Sequence, residues 1–359
     1  MFLDPAAPQH WPTPQTSYEA DALVFCRAWL SGQPEFVLQT SGSTGTPKPI
    51  TLTRTQMRAS AHLTGQTLGL QTGDAALVCL NVGYVAGVMM LVRGLELGLP
   101  MTIIEPTGNP LAGFSPELTR FKFTAFVPLQ LQAILEQSPG KLPILNEMKA
   151  ILVGGAATNP ALERALQIIE TPVFATYGMT ETVSHIALRR LNGADRSDWF
   201  TALDGVDLGT DERSCLHITS AATNFVRVQT NDVVELTSNP ANKLPIQFRL
   251  LGRADRVINS GGVKIQPEQV EQVIGTALAT AGGAGRLFVA GLPDERLGQR
   301  VVLFCEKWTP TDEQWQGVQT TVCQHMGPYA MPRAVVTVEE FAQTPTGKID
   351  RTQTIAPYR

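Results

Sequence analysis

The sequence predicts an α/β protein with a large N-terminal domain and a small C-terminal α+β domain joined by a hinge. Between residues 75 and 175, apolar runs alternate with helical segments, a pattern typical of a mainly parallel sheet covered by helices. From about 203 to 250 the apolar runs are shorter and separated by turn residues, which indicates an antiparallel β unit. These changes predict domains at residues 1–252 and 253–359.

Composition favours an ordinary globular protein. Of the 359 residues, 43% are apolar and 17% are charged, and the net charge is -4. No run approaches the roughly 18 apolar residues of a membrane span, and the N-terminus has no signal-peptide pattern. A weakly acidic chain offers no positive electrostatic field to attract nucleic acid, so we expect any bound phosphate to belong to a small molecule. The five cysteines are widely spaced, which fits a reducing, cytoplasmic location and argues against a metal or disulfide framework.

Apolar periodicity places the expected elements in order. Helices are predicted at Tyr18–Leu30, at Thr53–Leu68 with Thr53 or Thr55 as cap, from Gly87 to Leu97, at Pro160–Ile169, from Pro267 to Ile274 and at Glu313–His325. Strands of the parallel sheet are predicted at Ala75–Leu80, Leu99–Glu105, Phe123–Val127, Ala150–Val153 and Val173–Ala175. The antiparallel runs are Cys215–Thr219, Phe225–Val228, Val233–Leu236 and Gln247–Leu250, and the C-terminal strands are Leu287–Ala290, Val301–Glu306 and Val335–Val338.

A loop of small and hydroxyl residues follows the run Phe36–Leu38, which we expect to be a buried strand. The loop consists of Thr40, Ser41, Gly42, Ser43, Thr44, Gly45, Thr46, Pro47 and Lys48. Glycines let backbone amides turn toward an anion, and the hydroxyls and the lysine add donors and charge. The alternative is a flexible Gly/Ser linker. Such a linker rarely follows a strand directly and rarely ends in Pro-Lys, so a phosphate-binding loop is favoured. Pro47 stands where a Walker A loop needs glycine, so the phosphate-binding loop is of another kind.

A second polar stretch, Tyr177–Thr182, follows the Val173–Ala175 strand. An aromatic ring can stack on a nucleobase, a threonine can donate to phosphate, and a carboxylate can hold Mg²⁺. By itself the stretch favours a core aromatic residue followed by a capped helix over a binding site.

Together these stretches resemble the adenylate-forming superfamily of acyl-CoA synthetases. Further stretches match its motifs in the same order along the chain: Gly154–Ala157, Thr230–Asp232, Gly252–Asp255, Ser260–Pro267 and Pro345–Lys348. Each is weak alone, but their shared order makes coincidence a poor explanation. The family's cofactors, ATP, Mg²⁺ and CoA, are therefore expected.

The resemblance implies roles for individual residues. Lys348 would be the adenylation lysine, Thr180 would position the α-phosphate, and Glu181 would hold Mg²⁺. The hinge would lie at Asp255. The implied ATP-binding residues are Thr40, Ser41, Gly42, Ser43, Thr44, Gly45, Lys48, Gly155, Ala156, Tyr177, Asp232 and Arg253, and the implied CoA-binding residues are Gly261 and Gly262.

Two features depart from the family pattern. Only about forty residues precede the phosphate loop, so the acyl pocket is expected mostly from residues 81–190. Tyr84 occupies a position where the family usually has histidine, and it is either a pocket wall or a packing aromatic.

Within the superfamily, Tyr84–Gly87 and Thr180–Ala187 resemble the short o-succinylbenzoate–CoA ligases of menaquinone synthesis. The implied pocket residues are Tyr84, Gly178 and His185. If residues 180–189 form a helix, His185 lies on the same, site-facing side as Glu181 and could bind substrate. The alternative, that His185 only makes a local hydrogen bond within the protein, is equally supported. Arg189 and Arg190 are further candidates for a second substrate carboxylate, whereas Arg93 is expected on the opposite side of its helix from Tyr84.

Other functions remain open at this point. They are a ligase for another aromatic or short acid, an adenylation domain acting on a carrier-protein thiol, and a binding module without turnover. Retention of Glu181 and Lys348 argues against the last of these. The sequence also leaves a homodimer open.

Overall fold

The computed structural model describes residues 1–39, 49–237, 246–280, 285–344 and 348–359. The predicted phosphate loop, residues 40–48, and residues 345–347 lie outside the described residues. The α-helices of the described part are α1 (Ser17–Leu30), α2 (Arg54–Leu68), α3 (Val85–Leu97), α4 (Pro128–Gln137), α5 (Leu142–Asn146), α6 (Pro160–Ala165), α7 (Pro267–Thr280), α8 (Asp312–Met326) and α9 (Arg351–Ile355).

The strands fall into two groups along the chain. The first comprises β1 (Phe2–Leu3), β2 (Glu35–Gln39), β3 (Pro49–Thr53), β4 (Ala76–Val78), β5 (Met101–Ile103), β6 (Phe123–Phe126), β7 (Ala150–Val153), β8 (Val173–Gly178), β9 (His185–Arg190), β10 (Phe200–Ala202), β11 (Asp207–Thr210), β12 (Cys215–Thr219), β13 (Val228–Leu236) and β14 (Gln247–Arg253). The second comprises β15 (Ile258–Ser260), β16 (Val263–Ile265), β17 (Leu287–Asp294), β18 (Gly298–Glu306) and β19 (Ala334–Val338).

The large sheet contains both the parallel and the antiparallel strands of the first group. Its order in the described residues is β1-β5-β4-β6-β7-β8-β9-β10-β14-β13-β12-β11. Strands β5, β4, β6, β7 and β8 run parallel, and the sheet continues antiparallel from β9 onward. The predicted α/β class is confirmed. The antiparallel β unit, however, is not a separate sheet, because β9 and β10 connect it to the parallel strands.

Helices cover both faces of the parallel strands. Alternate strand residues bury against α1 and α3 on one face and against α4, α5 and α6 on the other. The helix α3 is apolar almost all round, because its second face packs on α2 and on the β2–β3 hairpin. Thr53 caps α2, and Gln56 returns a bond to the Thr53 amide, which settles the choice between the two predicted caps.

A five-stranded sheet forms the C-terminal part, with β19 parallel to β18. One face packs against α7 and α8, and the other holds Phe288, Phe304 and Phe341. No helix in the described part of the chain combines the length and the apolar character needed to cross a membrane.

Three local predictions were wrong. Residues 180–189 are not helical: a 3-10 turn, Thr180–Thr182, precedes strand β9. The strand β2 is not fully buried, because it lies in a two-stranded sheet with β3 that leaves Val37 64% exposed. Phe225 does not start a strand but sits in a turn with a φ of 58°. The helix α4 is not among the predicted helices; it begins at Pro128, directly after the predicted strand Phe123–Val127, and proline is common at the first position of a helix.

Candidate active site

The carboxyl ends of β7 and β8 open onto a tight turn, residues 154–157. Gly155 has a φ of 84°, which favours glycine, and a Cβ at Gly154 would lie 2.5 Å from the Thr176 Oγ1 of β8. Gly155, Ala156 and Ala157 are exposed. Parallel sheets bind ligands at this edge, so the turn has the location predicted for an adenine-lining segment.

A hydrogen-bonded chain joins the end of β8 to the β13–β14 pair. The Tyr177 hydroxyl donates to Asp232 Oδ2 at 2.7 Å, and Arg253 Nη1 donates to Asp232 Oδ1 at 3.0 Å. Arg253 also binds Asp255 through two bonds of 2.9 and 2.7 Å. The hydrogen bonds that Arg253 donates to Asp255, together with the charge of Asp232, raise the pKa of Arg253, and Arg253 holds the pKa of Asp255 below its usual range. The predicted ribose-binding residues and the predicted hinge residue are therefore in direct contact.

Tyr177 is more enclosed than a nucleobase-stacking residue needs to be. Its ring is buried and meets Phe248 edge-on at a centroid distance of 5.0 Å, with Phe200 alongside. Burial and the neighbouring Asp232 charge raise the pKa of its hydroxyl, which stays protonated and can donate. In this structure Tyr177 positions Asp232; stacking on adenine stays a prediction.

Lys348 lies beside the same network although it belongs to the C-terminal part. Two bonds close its turn, from the Lys348 amide to Thr344 Oγ1 at 3.2 Å and from the Thr344 amide to the Lys348 carbonyl at 2.8 Å. Burial lowers the pKa of Lys348, and the charges of Arg256 and Arg253 lower it further, while Asp232 opposes them. The charges of Arg253 and Asp232, which belong to the large sheet, therefore act on the predicted adenylation lysine of the C-terminal part.

The stretch after Tyr177 forms a strained turn. Gly178 packs so closely on the backbone of Ser184 and His185 that a Cβ would collide with it. Val183 has a φ of 65° and a ψ of -55°, and the Ser184 amide donates to the Thr182 carbonyl at 2.7 Å, which is the rare γ-turn form. A β-branched residue at positive φ is a true outlier, and such strain clusters at functional sites.

Glu181 projects from this turn and is exposed. The described residues offer its carboxylate no hydrogen bond or ion pair, and they contain no group of three residues that could hold a metal. One free carboxylate fits Mg²⁺, which commonly binds through one or two carboxylates, water and substrate phosphates. Thr180 is buried at the base of the same turn.

Behind the turn lies a buried cationic cluster of Arg93, Thr64, Ser184 and His185. Arg93 is 2% exposed; its Nε donates to Thr64 Oγ1 at 3.2 Å and its Nη2 to Ser184 Oγ at 2.6 Å. Thr64 gives its only hydroxyl proton to the Ser60 carbonyl, so its oxygen accepts from both Arg93 and His185 Nε2. The network therefore fixes His185 with its proton on Nε2.

The cluster carries one charge without a counter-ion. Burial, with the Arg93 charge, lowers the pKa of His185 well below its ordinary value, so the imidazole is neutral at pH 7. Burial lowers the pKa of Arg93 to about 9, which still leaves the guanidinium charged. No described carboxylate pairs with it, and Nη1 has only the Met90 sulfur at 4.0 Å. Buried cations are nearly always paired, so an anionic partner is missing.

This cluster corrects the predicted pocket. Arg93, which the sequence analysis placed away from Tyr84, is buried and donates to Ser184. His185 has one ring nitrogen near the adjacent Ser184 hydroxyl and the other bonded to Thr64, which is distant in the chain, so its predicted contact with substrate stays a prediction. Arg189 is paired with Glu163 at 2.7 Å, and Arg190 binds Asn192. The sequence signal for this cluster is an arginine inside a helix that is apolar except for Arg93 and Glu96.

The remaining predicted residues are placed as follows. Tyr84 caps α3 and is half-buried, and an isolated bridge joins it to Gln39, the last described residue before the phosphate loop. Gly261 and Gly262 form the exposed turn between β15 and β16 with φ of 59° and 82°. Their predicted contact with CoA stays a prediction.

The fold and the site define an adenylate-forming ligase, and comparison with known proteins agrees. The profile of AMP-binding enzymes matches residues 12–203, and that of the AMP-binding enzyme C-terminal domain matches residues 270–348. A probable 2-succinylbenzoate–CoA ligase of Mycobacterium tuberculosis is 30% identical over 88% of this chain and 82% of its own length.

Solved structures give the same result. An acyl-CoA synthetase (AMP-forming)/AMP-acid ligase II-like protein of Dyadobacter fermentans is 43% identical, covering 100% of this chain and 99% of its own, with a TM-score of 0.67. The o-succinylbenzoate–CoA synthetase of Bacillus subtilis, solved with its acyl-adenylate, has a TM-score of 0.69 at 20% identity and supports the fold alone; the match covers 88% of this chain and 68% of that one.

The chain belongs to the AMP-binding enzyme family and is an adenylate-forming acyl-CoA ligase. The predicted superfamily and reaction class are confirmed, and the expected cofactors ATP, Mg²⁺ and CoA are those of the family.

Proposed function

We propose that this ligase activates o-succinylbenzoate as an acyl-AMP and transfers the acyl group to CoA. The superfamily reaction needs only one carboxylate, so the choice of acid must come from the pocket. The observation that carries the proposal is the buried guanidinium of Arg93, which lacks an anionic partner among the described residues.

A dicarboxylic aromatic acid supplies that partner. The aliphatic carboxylate of o-succinylbenzoate would be activated, and its ring carboxylate would stay charged. An arginine offers five N–H donors, and among the described residues only two of those of Arg93 have an oxygen acceptor. The remaining donors match a carboxylate, which arginine binds through two parallel bonds. The Thr64 and Ser184 hydroxyls hold the guanidinium in place without cancelling its charge, and the neighbouring His185 is neutral.

The first step joins the acid to the nucleotide. A carboxylate oxygen attacks the α-phosphorus of ATP, the bond to the bridging oxygen breaks, and pyrophosphate leaves with the electron pair. Lys348 balances the charge that develops between the two reactants. Glu181 would hold Mg²⁺, which neutralises the phosphates. The attacking group is already an anion, so this step needs no general base.

In the second step the CoA sulfur attacks the acyl carbonyl. The thiol proton goes to solvent or to the released phosphate, the carbon–oxygen bond to AMP breaks, and the thioester forms. We infer that rotation about Asp255 withdraws Lys348 and brings Gly261 and Gly262 to the reacting thiol. The domain boundary at residue 252, the residue roles, the cytoplasmic location and the homodimer stay predictions.

The relatives support the same substrate. The Mycobacterium tuberculosis relative is named a probable 2-succinylbenzoate–CoA ligase. Another Bacillus subtilis structure contains ATP and a magnesium ion, with a TM-score of 0.68 at 19% identity.

A pyrophosphate-release assay with MgATP tests the proposal. We expect release with o-succinylbenzoate, thioester only when CoA is added, and poor use of β-benzoylpropionate, which lacks the ring carboxylate. The rate of pyrophosphate release with o-succinylbenzoate should exceed that with β-benzoylpropionate by about ten- to a hundred-fold, which is the usual effect of one hydrogen bond to a charged group. Preference for the monocarboxylic acid would reject the substrate, and thioester formation only on a carrier protein would reject CoA as acceptor.

A further inference from the structure

The helix α7 joins the two parts of the molecule. It belongs to the C-terminal part, yet it contacts both α6 and β14 of the large sheet region. A Cβ at Gly275 on α7 would lie 3.2 Å from Cδ and 3.3 Å from Cγ of Pro160, the first residue of α6. A Cβ at Gly252 on β14 would lie 2.5 Å from Gln266 Oε1. Glycine therefore allows the close approach at both contacts.

The same helix is tied to the segment that carries Lys348. Arg351, three residues after Lys348, binds Glu271 of α7 through two bonds of 2.6 and 2.9 Å. Glu271 also accepts from the Val289 amide at 2.8 Å, so its carboxylate is fixed to β17 as well. Any shift of α7 on α6 is thus transmitted to Arg351 and to the adjoining lysine.

We propose that Gly275 is a positioning residue of the adenylation step, because its contact with Pro160 sets the domain orientation that places Lys348 beside Asp232. The inference rests on the proposed two-step function. A larger side chain at position 275 separates α7 from α6, moves Lys348 away from the nucleotide edge and leaves the second step intact.

Gly275 does not belong to the hydrophobic core of the C-terminal part. The core-facing residues of α7 are Val270, Ile274 and Leu278, which bury against the five-stranded sheet and α8. Gly275 is only half-buried and faces Pro160 across the interface. Leucine is the better helix former, so a Gly275→Leu substitution favours the helix itself.

The helix α8 offers a matched control. Gly317 is also a helical glycine of the C-terminal part, but a Cβ there meets nothing within 4 Å. We therefore compare Gly275→Leu with Gly317→Leu and measure the two half-reactions separately: pyrophosphate release from acid and ATP, and thioester formation from supplied acyl-AMP and CoA.

We expect Gly275→Leu to lose roughly 10²-fold in pyrophosphate release, the effect of displacing a reacting group by about 1 Å, and to keep thioester formation within about two-fold. Gly317→Leu should match the wild type in both. Unchanged pyrophosphate release by Gly275→Leu, or an equal loss in both half-reactions, would overturn the proposal.

A measurement without turnover separates this inference from the proposed function. Arg253 and Arg256 flank the hinge and are held in ion pairs in this orientation. We expect trypsin to cut after them faster in Gly275→Leu than in Gly317→Leu or the wild type. Equal rates of trypsin cleavage would reject the positioning role of Gly275 even if the protein is an active ligase. A wild type that is inactive on every acid would reject the proposed function even if the cleavage rates differ.

Discussion

At the scale of single residues, the proposed acyl specificity depends on the charge of Arg93, which the described residues do not neutralise. Arg93, Thr64, Ser184 and His185 form a closed hydrogen-bonded group with one net positive charge. The sequence identified His185 but not its neighbours, because Thr64 and Arg93 lie on helices distant in the chain. Spacing on a helix indicates which residues share a face; it does not indicate what the other face contacts.

Replacement of Arg93 by methionine tests this charge. Methionine fills a similar volume without it, so we expect Arg93→Met to raise the KM for o-succinylbenzoate about ten- to a hundred-fold. The KM for β-benzoylpropionate should change by less than about three-fold, because that acid has no ring carboxylate to pair. Steady-state kinetics of pyrophosphate release with both acids provide the measurement.

The control for this variant is Arg58→Met on α2, whose arginine pairs with Glu96 and is half exposed. It should leave both acids unaffected. If Arg93→Met raised the KM for the two acids equally, Arg93 would be a packing residue and the substrate assignment would lose its support.

At the scale of elements, apolar runs predicted most strands, and capping residues predicted the ends of several helices. The sequence did not predict strand β9, because this strand depends on contacts with distant parts of the chain. The run His185–Arg190 shows no alternation of apolar and polar residues, and its residues are buried because β9 pairs with β8 and β10. Only the strained turn at Val183, which reverses the chain, makes that pairing possible. A non-glycine residue at positive φ leaves no signal in the sequence, so the turn and the strand after it were not predictable.

The element on which the proposed rotation between the two steps depends is the 3-10 turn Ala254–Arg256. Asp255→Pro fixes φ near -65°, which is within the range of a 3-10 turn but forbids a change of backbone conformation. We expect pyrophosphate release close to that of the wild type and thioester formation reduced by at least about ten-fold. Rapid-quench assays of each half-reaction would measure the two effects.

Asp255→Ala is the matched variant, because it removes the carboxylate bonded to Arg253 but leaves φ free. The difference between the two variants isolates the backbone effect. Normal overall turnover with CoA by Asp255→Pro would make Asp255 an ordinary linker residue.

At the scale of the whole molecule, the order of motifs along the sequence predicted the family correctly. The sequence did not predict which orientation the C-terminal part adopts, because that depends on close contacts such as Gly275 with Pro160. In the observed orientation the charges of Arg253 and Asp232 act on the pKa of Lys348, which fits its proposed role in the adenylation step. The predicted phosphate loop at residues 40–48 lies outside the described residues, so its predicted role is unchanged.

The most direct test of the account is the effect of Lys348→Ala on the two half-reactions of one enzyme preparation. We predict that acyl-AMP formation falls by roughly 10²–10³-fold or more, since a preorganised charge is lost, while thioester formation from supplied acyl-AMP stays near the wild-type rate. An equal loss in both half-reactions, or normal acyl-AMP formation, would contradict the role of Lys348 and the two-step account built on it.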